Sequence, residues 1–308
     1  MATLTLCLDI GGTKIAAGLA DAGGTLVHTA IRPTPAGAAA EEVWAAVAAT
    51  IADALGVADA AVAAVGIASA GPIDLHRGRV NPINIRSWRG FPLRDRVAAM
   101  IPGVPGVPVR LGGDGVCMAL GEHWRGAGRG ARFLLGMVVS TGVGGGLVLD
   151  GIPYTGRTGN AGHVGHVVVE QDGRPCPCGG RGCVETVAAG PSLVRWALAN
   201  GWSAPPGAGA RDLAAAAAAS DPVAVRAFRR GGTALAAMIA SVGAVCDLDV
   251  VVVGGGVAKS GATLFDPLHE ALAGYAGLEF IRGLQVLPAA LGGDAGLIGA
   301  AALFASAT

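Results

Sequence analysis

Charged residues are scarce in this sequence of 308 residues. They make up 14% of it, well below the ~25% of an average protein, and 22 Lys and Arg balance 22 Asp and Glu. No excess of positive charge favours nucleic acid or an anionic membrane as a partner, so a small-molecule ligand is expected. The hydrophobic share of 52% is raised by alanine, which indicates a compact, helix-rich protein.

Long hydrophobic runs are also missing. The longest nearly apolar stretch, Ala234 to Cys246, is shorter than the ~20 residues of a membrane span. The chain reaches Asp9 without the basic and apolar regions of a signal peptide. We therefore expect a cytoplasmic protein, in which disulfides rarely persist and clustered thiols more often hold a metal ion.

Two common nucleotide-binding motifs are absent from the sequence. Nothing matches the Walker pattern, and the glycines at 254 and 256 are followed by Lys259 where the dinucleotide fingerprint needs a third glycine. This argues against a hydride-transfer enzyme.

Glycine is abundant instead, with 52 residues, and it clusters after apolar runs. Backbone N–H groups bind phosphate where glycines permit close approach, although ordinary tight turns are the alternative interpretation of each cluster. Asp9 adds a carboxylate for a metal ion. The three candidate turns contain Asp9, Gly11, Gly12, Thr13 and Lys14; Ser140, Thr141, Gly142 and Gly144; and Gly254, Gly255 and Gly256, the last set as the floor of an adenosine pocket.

The hydrophobic pattern predicts two related α/β lobes. Strands at 4–10, 15–19 and 25–31, a helix at 41–55 and a strand at 62–68 form the first, and the strand-turn-strand pattern restarts at residue 133. Facing glycine turns then imply a cleft. We place the small lobe at 1–112, the large lobe at 113–293, a hinge near 112–114, and a helix at 294–308 returning to the small lobe.

Four residues have the composition of a closed, structural zinc site. His166, Cys176, Cys178 and Cys183 supply one imidazole and three thiolates, and proline and glycines let the short cysteine segment wrap around one ion. The alternative is a reduced thiol cluster without metal. A bound ion would join two segments and fix Glu185, whereas Cys7, Cys117 and Cys246 are interpreted as core residues.

Taken together, these motifs resemble the ROK family (repressors, open reading frames and kinases). The resemblance rests on DIGGTK at 9–14, STGVGGG at 140–146, Gly165-His166, CPCGGRGCVE at 176–185, VVVGGG at 251–256 and DAGLIGAA at 294–301. It implies a two-lobed, actin-like and hexokinase-like (ribonuclease H-like) ATPase fold that uses ATP and Mg²⁺. Repressor members carry a DNA-binding segment before the first motif; because only eight residues precede Asp9, we expect a kinase.

The resemblance also implies roles for individual residues. Asp114 matches the catalytic aspartate that takes the proton from the sugar 6-hydroxyl; without the resemblance it would be interpreted as a helix N-cap. Asn84, His166 and Glu185 match sugar-contacting positions, with His166 serving both metal and sugar. Ser69 and Gly71 match the turn beneath the sugar.

Two positions depart from the pattern of family glucokinases. Gly113 stands where they usually carry Asn, and His163 where they usually carry Glu, so glucose would lose polar partners. The stretch at 163–166 is more similar to N-acetylmannosamine kinases, and neutral drift in a promiscuous hexokinase is the alternative. N-acetylmannosamine and glucose are the leading substrates; a kinase for another amino sugar and a non-catalytic sugar-sensing regulator remain alternatives. The family also suggests a homodimer or homotetramer.

Overall fold

A computed structural model of the chain describes residues 3–58, 60–101 and 106–305. In chain order the strands and helices are β1 Thr3–Ile10, β2 Lys14–Ala20, β3 Leu26–Pro33, α1 Ala40–Leu55, β4 Ala61–Ser69, β5 Ile73–Asp74, β6 Arg79–Val80, α2 Leu93–Ala98, β7 Val109–Gly113, α3 Asp114–Arg125, β8 Phe133–Val139, β9 Val143–Leu149, β10 Ile152–Tyr154, α4 Glu185–Ala188, α5 Gly190–Ala199, α6 Ala210–Ala218, α7 Pro222–Cys246, β11 Val250–Gly254, α8 Ala262–Tyr275, α9 Glu279–Arg282, β12 Gln285–Pro288 and α10 Ala295–Ala302.

The contacts within the chain divide it into two compact units. The first contains the residues up to Gly130, Gly146–Gly162 and the residues from Gly293 onward, and the second contains Ala131–Gly145 and His163–Gly292. The C-terminal helix α10 belongs to the first unit, while the division into lobes at 1–112 and 113–293 stays a prediction. A hinge at 112–114 concerns motion rather than contacts, and it stays a prediction.

The first unit is built on a five-stranded mixed sheet in the order β3-β2-β1-β4-β7. β1 pairs antiparallel with β2 and parallel with β4, and β4 pairs parallel with β7. Successive residues of a strand face opposite sides, so Leu6 and Leu8 enter the main core on one side. There they belong to the same core as Val47 and Ile51, which are four apart on one face of α1.

Small residues form the core on the other side of this sheet. Cys7, Ala16 and Ala68 pack there against Ala300 and Ala301 of α10. Because these side chains are short, α10 approaches the sheet closely: a Cβ on Gly66 of β4 would overlap the Ala300 carbonyl. The position of α10 is therefore fixed by backbone contact.

The second unit contains strands β8, β11 and β12, which are neighbours in that order, and the first three residues of β9. β11 pairs parallel with both β8 and β12, as its uninterrupted valine run predicts for a buried central strand. The long helix α7 is capped by Asp221, whose Oδ1 accepts from the N–H groups of Val223 and Ala224 at 2.9 and 2.8 Å. At its end Asp247 adopts a left-handed conformation, which terminates the helix.

The predicted α/β class is confirmed, and the strands and helix expected between residues 4 and 68 are present within two residues at their ends. The helix expected at 294–308 ends at Ala302. In the part of the chain that the structure describes, no helix has the length and apolarity needed to span a bilayer.

Candidate active site

The turn between β1 and β2 presents the first group of candidate phosphate ligands. Gly11 donates its N–H to the Lys14 carbonyl at 2.9 Å, closing the turn. Thr34 holds it from outside, donating its hydroxyl to the Gly11 carbonyl at 2.7 Å and its N–H to the Thr13 carbonyl at 3.0 Å. The Thr13 residue itself is exposed, so its hydroxyl is accessible to a ligand.

Asp9, at the end of β1, is a carboxylate in an unfavourable electrostatic environment. Its burial raises its pKa from 3.8 to about 6, and the negative charge of Asp114 acts in the same direction. Lys14 opposes the shift, but its Nζ lies 4.0 Å from Oδ2. A cation bound at Asp9 would stabilise the charged carboxylate, which is the chemistry expected of a Mg²⁺-binding position.

Asp114 is the first residue of α3, and the cap of that helix is Gly113. The N-cap role considered for Asp114 is therefore not its position in the structure. Its Oδ1 accepts from the N–H of Gly115 at 2.8 Å. The residue is exposed, yet the protein around it displaces enough water to raise its pKa. A carboxylate with a raised pKa and access to solvent is suited to accept a proton.

Asn84 lies directly over the first turn. The N–H of Ile83 donates to the Gly71 carbonyl at 3.2 Å, which holds the preceding loop against the Gly71–Pro72 segment. A Cβ on Gly12 would lie 2.6 Å from Cγ of Asn84, so only glycine at position 12 leaves this exposed amide in place.

The other residues expected beneath the sugar differ in accessibility. Ser69 is fully buried, and its hydroxyl donates to the Ala70 carbonyl at 3.2 Å, so Ser69 is better placed to shape the turn than to reach solvent. Gly113 has open space instead: a Cβ there would meet only the Ile73 side chain, at 3.9 Å.

Asn160 is a supporting residue that the sequence did not reveal. Its side chain accepts from the N–H of Ile73 and donates to the carbonyl of the same residue, both at 2.9 Å. This pair of bonds is like that made by a neighbouring strand, and it fixes Ile73, the residue that lies beside Gly113. No local pattern marks Asn160, because its partner lies 87 residues away.

The turn between β8 and β9, in the second unit, is held from two sides. Ser140 donates its N–H to the Gly142 carbonyl and accepts the N–H of Gly190, both at 2.8 Å. Glu185 Oε2 accepts the N–H of Val143 at 2.9 Å, and a Cβ on Gly142 would lie 2.6 Å from the same oxygen. The sequence therefore needs glycine at 142 to admit the carboxylate.

The predicted cluster of one histidine and three cysteines is present. The ligand atoms of His166, Cys176, Cys178 and Cys183 all lie within 4.8 Å of one another. Cys178 and Cys183 sulfurs are 3.8 Å apart, the edge of a tetrahedron with Zn–S distances of about 2.3 Å. The donor set and its spacing therefore fit a zinc ion.

The two histidines near this cluster, His163 and His166, have different surroundings. His166 directs Nδ1 toward the Cys176 sulfur at 3.7 Å, which leaves Nε2 for another partner. His163 is exposed and stacks on His166 with ring centroids 6.3 Å apart. Partial burial, followed by the proximity of His166, lowers the pKa of His163 and favours its neutral form.

A cavity of about 700 Å³ lies entirely within the second unit. Its wall contains the two predicted hydroxyl residues, two cations and a buried aromatic ring. Lining residues include Ser140, Thr141, Arg211, Phe228, Gly256 and Lys259. The combination of an apolar wall with cations and hydroxyls suits a nucleoside phosphate.

Gly254 and Gly255, which were predicted together with Gly256, are not among the residues that line this cavity. Gly255 has φ of 97°, and a Cβ there would overlap the Val139 carbonyl. Gly254 and Gly255 thus shape the strand end, whereas Gly256 reaches the cavity. Ala208, Gly209, Ala210 and Arg211 also line it, although the Ala-, Gly- and Pro-rich composition of 204–210 is typical of a linker.

Comparisons with known proteins match the chain along nearly its whole length. The model of the ROK family matches residues 5–307. A protein named glucokinase from Thermotoga maritima is 35% identical, over 96% of this chain and 95% of its own length. A protein named N-acetylmannosamine kinase from Yersinia pseudotuberculosis is also 35% identical, over 96% of each chain.

One similar solved structure is a ROK family glucokinase from Streptomyces griseus in complex with glucose and AMPPNP. It is 37% identical with a TM-score of 0.83, covering 97% of this chain and 98% of that chain.

Proposed function

Because the chain belongs to the ROK family, we propose that it is an ATP-dependent kinase that transfers the γ-phosphate to the 6-hydroxyl of a hexose or N-acylhexosamine. N-acetylmannosamine and glucose are the leading substrates. The observation that carries the proposal is Asp114, a solvent-accessible carboxylate with a raised pKa at the start of α3. The kinase and sugar-binding relatives support it.

In this proposal Asp114 accepts the proton of the attacking hydroxyl. Phosphoryl transfer depends mainly on positioning and charge stabilisation, so one well-placed carboxylate supplies most of the side-chain chemistry. The hydrogen bond from Gly115 to Oδ1 fixes the carboxylate and leaves Oδ2 for the substrate.

ATP would bind in the cavity of the second unit, where Lys259 and Arg211 supply positive charge and the wall near Phe228 is apolar. The turn residues Ser140 and Thr141 provide hydroxyls for phosphate oxygens. Asp9 would hold Mg²⁺, directly or through water, with Gly11, Gly12, Thr13 and Lys14 completing the turn. Bound Mg²⁺ would neutralise phosphate charge.

We assign the sugar contacts to three side chains and one turn. Asn84 offers an amide, Glu185 a carboxylate, and His166 the ring nitrogen that does not face the cysteines. Gly71 shapes the turn beneath the ring. These groups are suitable partners for buried hydroxyls.

The cysteine cluster would hold a structural zinc ion. A closed set of four protein ligands leaves no open position for substrate, so the ion would stabilise the loop rather than act as a Lewis acid. It would also fix His166 and, two residues after Cys183, Glu185.

The choice of sugar follows from His163 and Gly113. Neutral imidazole donates through one nitrogen and accepts through the other, which suits an acyl carbonyl better than glutamate would. The open space at Gly113 would accommodate a modified group. Sequence identity does not separate the two sugars, since both kinds of relative are 35% identical.

The test is an ADP-release screen with ATP and Mg²⁺ across glucose, mannose, N-acetylmannosamine, N-acetylglucosamine, fructose, and 2- and 3-amino sugars. Product analysis by NMR identifies the phosphorylated hydroxyl. We expect release with at least one sugar and phosphate at C6. Sugar binding by calorimetry without ADP release on any sugar would favour the non-catalytic regulator instead.

A further inference from the structure

The first turn of α10 lies against the carboxylate of Asp9. A Cβ on Gly296 would lie 2.6 Å from Oδ2, 2.7 Å from Cγ and 3.1 Å from Oδ1 of Asp9. These contacts involve the end of the side chain, so the approach depends on the way the carboxylate is turned. Asp9 faces α10 because it follows Cys7 by two residues in β1, and Cys7 is on the side of the sheet that α10 covers.

Helix α10 has little freedom to move away from Asp9. A Cβ on Gly299 would overlap the Cys117 carbonyl of α3, and one on Gly121 of α3 would overlap the Ala295 carbonyl of α10. The same helix meets β4 through Gly66 and Ala300. Since backbone meets backbone on two sides, the movable partner at Gly296 is the Asp9 side chain.

Lys14 connects the same two segments. Its Nζ donates to the Gly293 carbonyl at 3.3 Å and lies 4.0 Å from Oδ2 of Asp9. Gly293, just before α10, therefore contacts Lys14, and Gly296, within α10, lies against Asp9.

We propose that Gly296 is a positioning residue for phosphoryl transfer, because its missing side chain sets the orientation in which Asp9 presents its carboxylate to a divalent cation. The inference rests on the kinase function proposed above. Any larger residue at 296 turns the carboxylate away while α10 stays in place. Turning a charged ligand away from the cation lowers cation affinity and turnover.

The first experiment compares Gly296→Ala with Gly274→Ala. Gly274 is the second-last residue of α8, where a Cβ would meet nothing within 4 Å. We expect Gly296→Ala to raise the Mg²⁺ concentration for half-maximal rate by about tenfold or more and to lower kcat by a similar factor. The sugar KM should change little, and Gly274→Ala should match the wild type in all three measurements.

The second experiment measures the contact without using activity. Thermal unfolding of wild type, Gly296→Ala, Asp9→Ala and the double variant forms a double-mutant cycle. We expect Gly296→Ala to lower Tm by at least about 2 °C when Asp9 is present, but not when Asp9 is alanine, where only the higher helix propensity of alanine remains. If Gly296→Ala alone does not fold, the double variant should fold as well as Asp9→Ala.

The outcomes separate this inference from the proposed function. An equal loss of stability from Gly296→Ala in both backgrounds, or an unchanged Mg²⁺ requirement in an active kinase, overturns the positioning role. A wild type without kinase activity overturns the proposed function, and with it the catalytic consequence of the contact.

Discussion

Glu185 accepts a hydrogen bond from the backbone N–H of Val143 at 2.9 Å. The bond joins the first residue of α4, two positions after Cys183, to the first residue of β9. It therefore connects the cysteine loop to the turn that contains Ser140 and Thr141. A change in the cysteine loop should reach this turn through the Glu185 carboxylate.

The cysteine cluster gives the first prediction. Purified protein should contain about one zinc ion per chain, measured by elemental mass spectrometry, and Cys178→Ser should lower both zinc content and Tm because ligand loss releases two segments. Cys246→Ser is the control, since Cys246 lies outside the cluster. Metal-free protein that melts at the wild-type temperature would contradict a structural zinc ion.

Replacing Asp114 with Asn should lower kcat by at least ~10². The substitution removes the proton acceptor while keeping size and shape, so sugar binding should stay near wild type and Tm should not fall. In the wild type the raised pKa of Asp114 means that kcat/KM should fall as the pH drops, with the loss starting at a higher pH than an ordinary aspartate would give. A variant with half the wild-type turnover would refute the assignment.

Asp9 makes stability depend on pH. Its folded-state pKa is raised from 3.8 to about 6, so the native state binds a proton more readily than the unfolded chain. This preference stabilises the native state. The stabilisation is fully present below pH 3.8 and is lost as the pH rises to about 6. At about 1.4 kcal/mol per pKa unit, the loss is about 3 kcal/mol at most.

Asp9→Asn tests this dependence by thermal unfolding without divalent cations. It should raise Tm at pH 8, where the wild-type carboxylate is charged, and should give a smaller gain at pH 4. A gain of equal size at both pH values would mean that the charge of Asp9 is not the cause.

The nucleotide cavity is tested by filling it. Ala214 of α6 lines the cavity, whereas its neighbour Ala215 is exposed and is not among the lining residues. Ala214→Trp should raise the ATP KM several-fold and leave the sugar KM unchanged, and Ala215→Trp should leave both unchanged. Equal ATP KM values for the two variants would remove the cavity as the ATP-binding position.

The sugar preference is tested at His163. We expect the wild type to turn over N-acetylmannosamine at least as efficiently as glucose. His163→Glu should shift the kcat/KM ratio toward glucose by roughly tenfold or more, equivalent to ~1.4 kcal/mol for one polar contact. A wild type that strongly prefers glucose, with a ratio that does not respond to the substitution, would indicate a glucokinase with an altered pocket.

Local patterns were sufficient for much of the fold and for the metal cluster. β11 was recognisable as a buried parallel strand because valine occupies four successive positions. The cysteines at 176, 178 and 183 are close in sequence, so their convergence follows from chain length alone. The family, and the likeness of the fold to family glucokinases, are confirmed by the comparisons.

Features that depend on distant segments were not predictable. Asn160 is a small polar residue in a turn, and nothing near it indicates its partner Ile73. The stretch before α6 had the composition of a linker, yet it lines a cavity because α6 lies beside α5 and α7. The sequence shows that position 113 has no side chain, but it does not show the open space around that position. The hinge and the oligomeric state stay predictions.

The return of α10 to the first unit has a consequence for synthesis on the ribosome. β1 is translated before the second unit, but the helix that covers Cys7, Ala16 and Ala68 is translated after all of it. Until then this face of the nascent sheet lacks its contacts with α10, and Asp9 and Lys14 lack their contacts with Gly296 and Gly293. The contacts of the first turn are therefore completed only after the second unit has been translated, so a ribosome-bound chain lacking α10 would expose apolar surface to chaperones.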